Sequence, residues 1–166
     1  MNIQRKVCLL GSDGVGKTSI IVRYTKGTFS NSYLVTLGVD FYEVKFSNPK
    51  TSDMLSTQIW DLASQKNFQF MRAQYLSYAN YIIIVVDAMR HADEYIVPWI
   101  NDVRKHAGKE VPYIIVLNKV DLIDAETSKN LVLRLKNQFN VPIFNTSAKT
   151  GENIHEIFEY VAECLW

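Results

Sequence analysis

Short apolar runs alternate with longer amphipathic stretches along the whole chain. Lys6–Leu10 (KVCLL) reads as a buried strand ending at Gly11, and a helical pattern follows from Gly16 to Lys26. Val39–Phe46 and Met54–Asp61 alternate well enough for two extended segments. The polar SNPKTSD between them predicts a hairpin turn bent at Pro49. Tyr81–Asp87 (YIIIVVD) and Pro112–Asn118 (PYIIVLN) are continuous runs rich in Ile and Val, as strands covered on both faces require. Val141–Asn145 (VPIFN) is a shorter copy. Helical periodicity covers about Asp93–Ala107, Ala125–Phe139 and Glu152–Leu165. Asp124 is placed to cap the second of these and Gly108 to stop the first, while Pro98 inside the first should kink it. This alternation argues an α/β domain, its sheet largely parallel with one antiparallel edge. No repeat, low-complexity stretch or linker interrupts residues 1–166, so one domain is expected.

Composition narrows the function classes. A chain of 166 residues can bury a full core. Its charges make up 21% of residues and nearly cancel at net +1, which does not point to a nucleic-acid partner or a polybasic membrane patch. The longest apolar run, Tyr81–Val86, is too short to span a bilayer, and no secretory leader pattern opens the sequence. Cys8 and Cys164 read as free thiols in a reducing compartment. The expectation is a soluble cytoplasmic protein, monomeric, with no intrinsic membrane segment.

The candidate chemistry sits where strands end. Gly11–Thr18 (GSDGVGKT) follows the first strand and opens the first helix, satisfying G-x-x-x-x-G-K-[ST] in the context that pattern needs. Glycines let successive N–H groups curl toward phosphate oxygens at a helix N-terminus. Asp13, Gly14, Val15 and Gly16, with Lys17, Thr18 and Ser19 behind them, are therefore phosphate-binding candidates. Lys17 would reach the β- and γ-phosphates, and the Thr18 hydroxyl would ligate Mg²⁺. Asn118–Asp121 (NKVD) ends a later strand. The Asp121 carboxylate can accept both the N1 and N2 hydrogens of guanine, a donor pair that adenine lacks. Asn118 would brace the loop, and the Lys119 stem would pack over the base. Thr146–Lys149 (TSAK) closes the last strand, contributing Ser147, Ala148 and Lys149, with the Ala148 N–H available to guanine O6.

Taken together, GSDGVGKT, Thr36, WDxxxQ, NKVD and TSAK resemble a small GTPase of the Ras superfamily across essentially the whole chain. YLVTLGVDF (Tyr33–Phe41), QIWD (Gln58–Asp61) and QYLSYA around Tyr75 are similar to Rab segments. The resemblance implies a P-loop NTPase G domain: a six-stranded, mostly parallel sheet with one antiparallel edge strand and five flanking helices. It implies that Phe29 packs edge-on against guanine, that Tyr33 lids the phosphates, and that Thr36 is a second protein ligand to Mg²⁺. Asp61 would hold a metal-bound water, and Gln65 would orient the attacking water. Lys17, Thr36 and Gln65 are thus the catalytic candidates. Phe41, Trp60 and Tyr75 take the places of the effector-binding triad, with Trp60 expected to be the most clearly half-exposed. Exchange factors, GTPase-activating proteins and a trafficking role are implied in the same way.

Three departures qualify this picture. Ser64 stands where the family has glycine, between Asp61-Leu62-Ala63 and Gln65-Lys66. Its N–H can still meet the γ-phosphate, but its Cβ disfavours positive φ. Asp13 adds negative charge near the γ-phosphate and crowds the entry of an arginine finger. Slow hydrolysis and weak activation by a partner are expected. The chain ends at ECLW without a C-a-a-X signal, so either a lipidated tail has been removed or the protein works without a lipid anchor. The leading reading is a slow GTP/GDP switch, and its rival is a constitutive nucleotide-binding module. A P-loop ATPase or nucleotide kinase is opposed by Asp121.

Overall fold

The structure, a computed structural model, describes residues 2–32, 35–48, 50–51, 53–90 and 92–166. Six strands form one sheet: β1 (Asn2–Leu10), β2 (Val39–Ser47), β3 (Met54–Leu62), β4 (Tyr81–Asp87), β5 (Tyr113–Asn118) and β6 (Ile143–Asn145). Their order is β2-β3-β1-β4-β5-β6. Among the described residues only β2 and β3 pair antiparallel; every other pairing is parallel, as the strand–helix alternation predicts. Five α-helices flank the sheet: α1 (Lys17–Lys26), α2 (Arg72–Leu76), α3 (Ala92–His106), α4 (Ala125–Phe139) and α5 (Ile154–Leu165). This is the P-loop NTPase fold.

Alternate side chains of the inner strands feed two cores, one on each face of the sheet. Val7, Leu9, Ile83 and Val85 face α1 and α5, where Ile20, Ile157, Phe158 and Val161 close the layer. Cys8, Leu10, Ile82 and Ile84 face the opposite layer with Ile96, Trp99, Val103 and Leu135 of α3 and α4. All seven residues of β4 are buried, which accounts for its unbroken apolar run.

Several boundaries move from the expected positions. β1 begins at Asn2 rather than Lys6, because its polar first half pairs in register with β3 from Asn2↔Met54 onward. A ladder can extend past the core without an apolar signal. α3 continues through Pro98, which lies on the exposed face while Ile96, Trp99, Ile100 and Val103 are buried. Burial of that stripe outweighs the lost backbone bond. Gly108 stops α3 as expected, taking φ 112° and donating to the Val103 carbonyl. Asp124 caps α4 through Thr127 N–H at 2.9 Å. α2 and the 3₁₀ turn before it, Lys66–Met71, carry no periodic signal of their own. The expected bend at Pro49 lies outside the described residues.

Because β1, β4, β5 and β6 run parallel, the segments after them emerge at one edge of the sheet. Asp87 and Asn118 are register partners there. Open α/β sheets place ligands at that edge.

Candidate functional site

The loop after β1 is held in shape by its own lysine and by a neighbouring strand end. Lys17 Nζ folds back to donate to the Gly11 carbonyl at 2.9 Å and the Ser12 carbonyl at 3.3 Å. Burial lowers the ammonium's pKa, the Asp61 and Asp13 carboxylates oppose that shift, and the Arg72 charge adds to it. Gly16 caps α1 at φ 98°, and a Cβ there would run into Asn118 Nδ2. Only glycine fits both the torsion and the approach. The Val15 side chain is buried in the core, and its carbonyl accepts from Asn118 Nδ2 at 2.8 Å. Val15 therefore shapes the loop without lining the cavity.

Asn118 ties three loops together. Besides Val15, it accepts at Oδ1 from Thr146 Oγ1 (3.2 Å) and from the Ala148 N–H (3.1 Å). The amide expected to face guanine O6 is thus engaged by Asn118 here. Ser147 is buried and donates its hydroxyl to Asp121 Oδ1 at 2.6 Å, which orients a carboxylate whose residue is otherwise exposed. Lys119 takes a left-handed φ of 67° and sends Nζ to Asp87 Oδ2 at 2.7 Å. Arg23 on α1 donates to the carbonyls of Ala148 (2.8 Å), Gly27 (2.9 Å) and Lys149, locking the last loop to the first helix. Asp87 and Arg23 were not singled out from the sequence. A carboxylate ending an otherwise apolar strand was the only signal for Asp87, and Arg23 gave none.

At the far end, three oxygen-bearing side chains converge. Thr18 Oγ1 lies 3.0 Å from Thr36 Oγ1 and donates to Asp61 Oδ2, which also accepts from Thr36 at 3.4 Å. Asp61 is fully buried, and its second oxygen, Oδ1, has no hydrogen-bond partner among the described residues. Burial raises its pKa, against the Thr18 hydrogen bond and the Lys17 charge. Two hydroxyls and a carboxylate with an orphaned oxygen fit a hard, oxygen-seeking cation such as Mg²⁺. The segments that carry Thr36 and Ser64 meet beside this cluster, where the Ala63 N–H donates to the Gly38 carbonyl at 2.9 Å. Ser64 is not among the residues with positive φ, so serine is accommodated here without strain. Its carbonyl accepts from Arg72 at 2.9 Å.

These groups surround a cavity of about 530 Å³. Asp13, Gly14, Gly16, Lys17, Thr18, Ser19 and Thr36 line one end together with Ser64. Phe29, Asn118, Lys119, Asp121, Ala148 and Lys149 line the other, joined by Val22, Thr28 and Leu122, which the sequence did not suggest. Gln65 is adjacent in the chain but not part of the lining; it opens the 3₁₀ turn, accepting from the Phe68 N–H at 3.0 Å. Tyr33 lies outside the described residues.

Phe41, Trp60 and Tyr75 form one aromatic cluster on the neighbouring face. Phe41 meets Trp60 edge-on at 4.6 Å, and Trp60 meets Tyr75 at 5.9 Å. Trp60 is half-buried, as expected, with Lys6 Nζ 3.5 Å above its ring. Phe41, not Trp60, is the most open member at 52% exposure.

Residues 6–165 match the family model described as "Ras: Ras family". The chain belongs to the Ras family. Among its curated relatives is the "Ras-related protein Rab-1" of Theileria annulata, 32% identical over 169 residues that cover 96% of this chain and 73% of the relative. The protein of the same name from Theileria parva is also 32% identical, over 165 residues with the same coverage. This Ras-family chain is therefore a nucleotide-binding protein of the GTP-binding class, with Rab likeness along most of its length. Among the described residues no helix is long and apolar enough to cross a membrane.

Proposed function

We propose that the chain is one G domain, residues 1–166, that binds GTP or GDP with Mg²⁺ as a Rab-like switch and slowly hydrolyses GTP to GDP and phosphate. The observation that carries this reading is the meeting of Thr18, Thr36 and Asp61 around an orphaned carboxylate oxygen. Thr36 comes from the first switch segment and Asp61 from the start of the second. A ligand at this point is read by both at once.

Thr18 and Thr36 would hold Mg²⁺ directly and Asp61 through water, and the ion supplies charge neutralisation on the β- and γ-phosphate oxygens. The chain's own residues do the rest. Lys17 exchanges its loop carbonyls for phosphate oxygens and stabilises the negative charge that builds on the leaving GDP. The Ser64 N–H, which meets no acceptor among the described residues, is free to donate to the γ-phosphate. Gln65 orients a water for in-line attack on the γ-phosphorus. The new P–O bond forms as the bond to the β–γ bridging oxygen breaks, releasing phosphate and GDP. Asp13 slows this by competing for the Lys17 charge. Phe29, Asn118, Lys119, Asp121 and the Ser147–Lys149 loop hold guanine. Phe41, Trp60 and Tyr75 offer an effector surface, and exchange factors and GTPase-activating proteins would act on the switches. A cytoplasmic monomer in membrane traffic, reaching membranes through partners or a tail, completes the reading.

Single-turnover GTP hydrolysis by wild type, Ser64→Gly and Gln65→Leu tests it. The expected order is Ser64→Gly at or above wild type, with Gln65→Leu at least tenfold below it. Wild type already as slow as Gln65→Leu would reject hydrolysis. Identical hydrogen exchange of both switches with GDP and with a non-hydrolysable GTP analogue would favour the constitutive module.

A further inference from the structure

Beneath the second switch segment lies a contact set that the nucleotide site does not use. Arg72, the first residue of α2, stacks its guanidinium over the Trp99 ring of α3 at 4.5 Å. Its Nη1 pairs with Asp102 Oδ2 on the same helix at 2.7 Å, and its Nη2 donates to the Ser64 carbonyl at 2.9 Å. The Arg72 side chain is only 12% exposed and that of Asp102 23%, so the pair is well shielded from solvent. Arg72 Nε is buried and meets no acceptor among the described residues. An unpaired buried donor is unfavourable, so stacking and the ion pair, not a full set of hydrogen bonds, set the guanidinium's orientation.

That orientation has a consequence one peptide away. The Ser64–Gln65 peptide is planar and trans, so fixing its carbonyl toward Arg72 points the Gln65 N–H the opposite way. With Gln65 at φ −62°, the direction in which its side chain leaves the backbone follows from that plane. In the same structure Thr36 is drawn up to Thr18, and Gly38 is bonded to Ala63. The pinned peptide therefore belongs to the state in which both switch segments are gathered at the cavity.

We propose that Arg72 is a positioning residue for the second switch. Anchored on α3 by Asp102 and Trp99, it holds the Ser64–Gln65 peptide in the triphosphate-competent orientation, a role a free glycine hinge does not need. A family glycine swings between states by its own backbone freedom. Serine lacks that freedom, and α3 takes over as the reference point through Arg72. The kinetic part of this inference rests on the hydrolysis reading above; the binding part does not.

The test measures affinity for GDP and for a non-hydrolysable GTP analogue, beside single-turnover hydrolysis, in wild type, Arg72→Gln, Arg72→Lys and Asp102→Asn. A clamp that favours the triphosphate state shifts the ratio of the two affinities. Arg72→Gln is expected to shift it about tenfold toward GDP and to slow hydrolysis by a similar factor. Asp102→Asn should move both several-fold the same way. Arg72→Lys should not rescue, because an ammonium cannot hold Asp102 and the Ser64 carbonyl in one planar fork. A ratio within twofold of wild type in Arg72→Gln and Asp102→Asn, or equal weakening of both nucleotides, overturns the proposal. Should Arg72→Gln fail to fold, Asp102→Asn and Arg72→Lys decide by the same ratio. If wild type does not hydrolyse GTP but the ratio shifts, the hydrolysis reading fails and the clamp stands.

Discussion

Asn118 joins three loops of the site through one side chain. It is 1% exposed, donates to Val15 and accepts from Thr146 and Ala148. Asn118→Ala removes all three bonds and leaves the Val15 carbonyl and the Thr146 hydroxyl to find other partners. A net loss of roughly 2–4 kcal/mol of stability is expected, at about 1 kcal/mol per bond plus the desolvation of what is left unpaired. Nucleotide affinity should fall by at least tenfold, because the phosphate loop and the guanine loops lose their shared brace. Urea unfolding and nucleotide dissociation rates measure the two effects, and an affinity within twofold of wild type would refute the brace. The sequence marked Asn118 because its tetrapeptide is specific. It could not mark Arg23, Arg72 or Asp87, whose roles depend on partners far along the chain (Ala148, Asp102 and Lys119). A lone arginine on a helix carries the same one-letter signal whether it faces water or holds a loop.

At the scale of one element, α1 separates what glycine does for function from what it does for folding. Both of its ends are glycines in left-handed torsions, Gly16 at φ 98° and Gly27 at φ 67°. A Cβ at Gly27 meets nothing within 4 Å, whereas one at Gly16 strikes Asn118. Gly27→Ala should therefore cost only the torsional penalty, about 1 kcal/mol, with nucleotide affinity unchanged. Gly16→Ala should cost the same penalty plus displacement of Asn118, with affinity falling at least tenfold. Thermal melts with and without GDP distinguish them; equal effects of the two substitutions on affinity would contradict the assignment. Elements differed in how far the sequence exposed them. β3 to β6 were legible because burial on one or both faces writes itself into apolar period and run length. The first half of β1 and the whole of α2 were not. One pairs through mostly polar residues, and the other is a single short turn fixed by the buried Leu76 and by the Arg72 contact with α3.

Across the whole molecule, nucleotide binding and global stability are linked because the site is built from the ends of the same strands that carry the core. Cys8 reports on this linkage. It lies fully buried on β1, between β3 and β4, and donates its thiol to the Tyr75 carbonyl at 3.5 Å. Burial pushes its pKa up to about 12, so in the native state the reactive thiolate is absent at neutral pH. Its folded pKa lies above the ordinary thiol value of 9.0. The stability this thiol contributes is accordingly complete below about pH 9 and is lost as pH rises toward 12. At pH 8 an alkylating reagent should modify the exposed Cys164 at once and Cys8 only through opening of the central sheet. If that opening is global, GDP with Mg²⁺ at 100 times its dissociation constant should slow Cys8 labelling about a hundredfold, while Cys164 is unaffected. Labelling of Cys8 as fast as Cys164, or unchanged by nucleotide, would mean that β1 opens independently of the site. Slowing by the full mass-action factor would mean that the phosphate loop and the sheet unfold as one cooperative unit. In that case the departures at Asp13 and Ser64 alter only how the switches move and leave intact the platform on which they move.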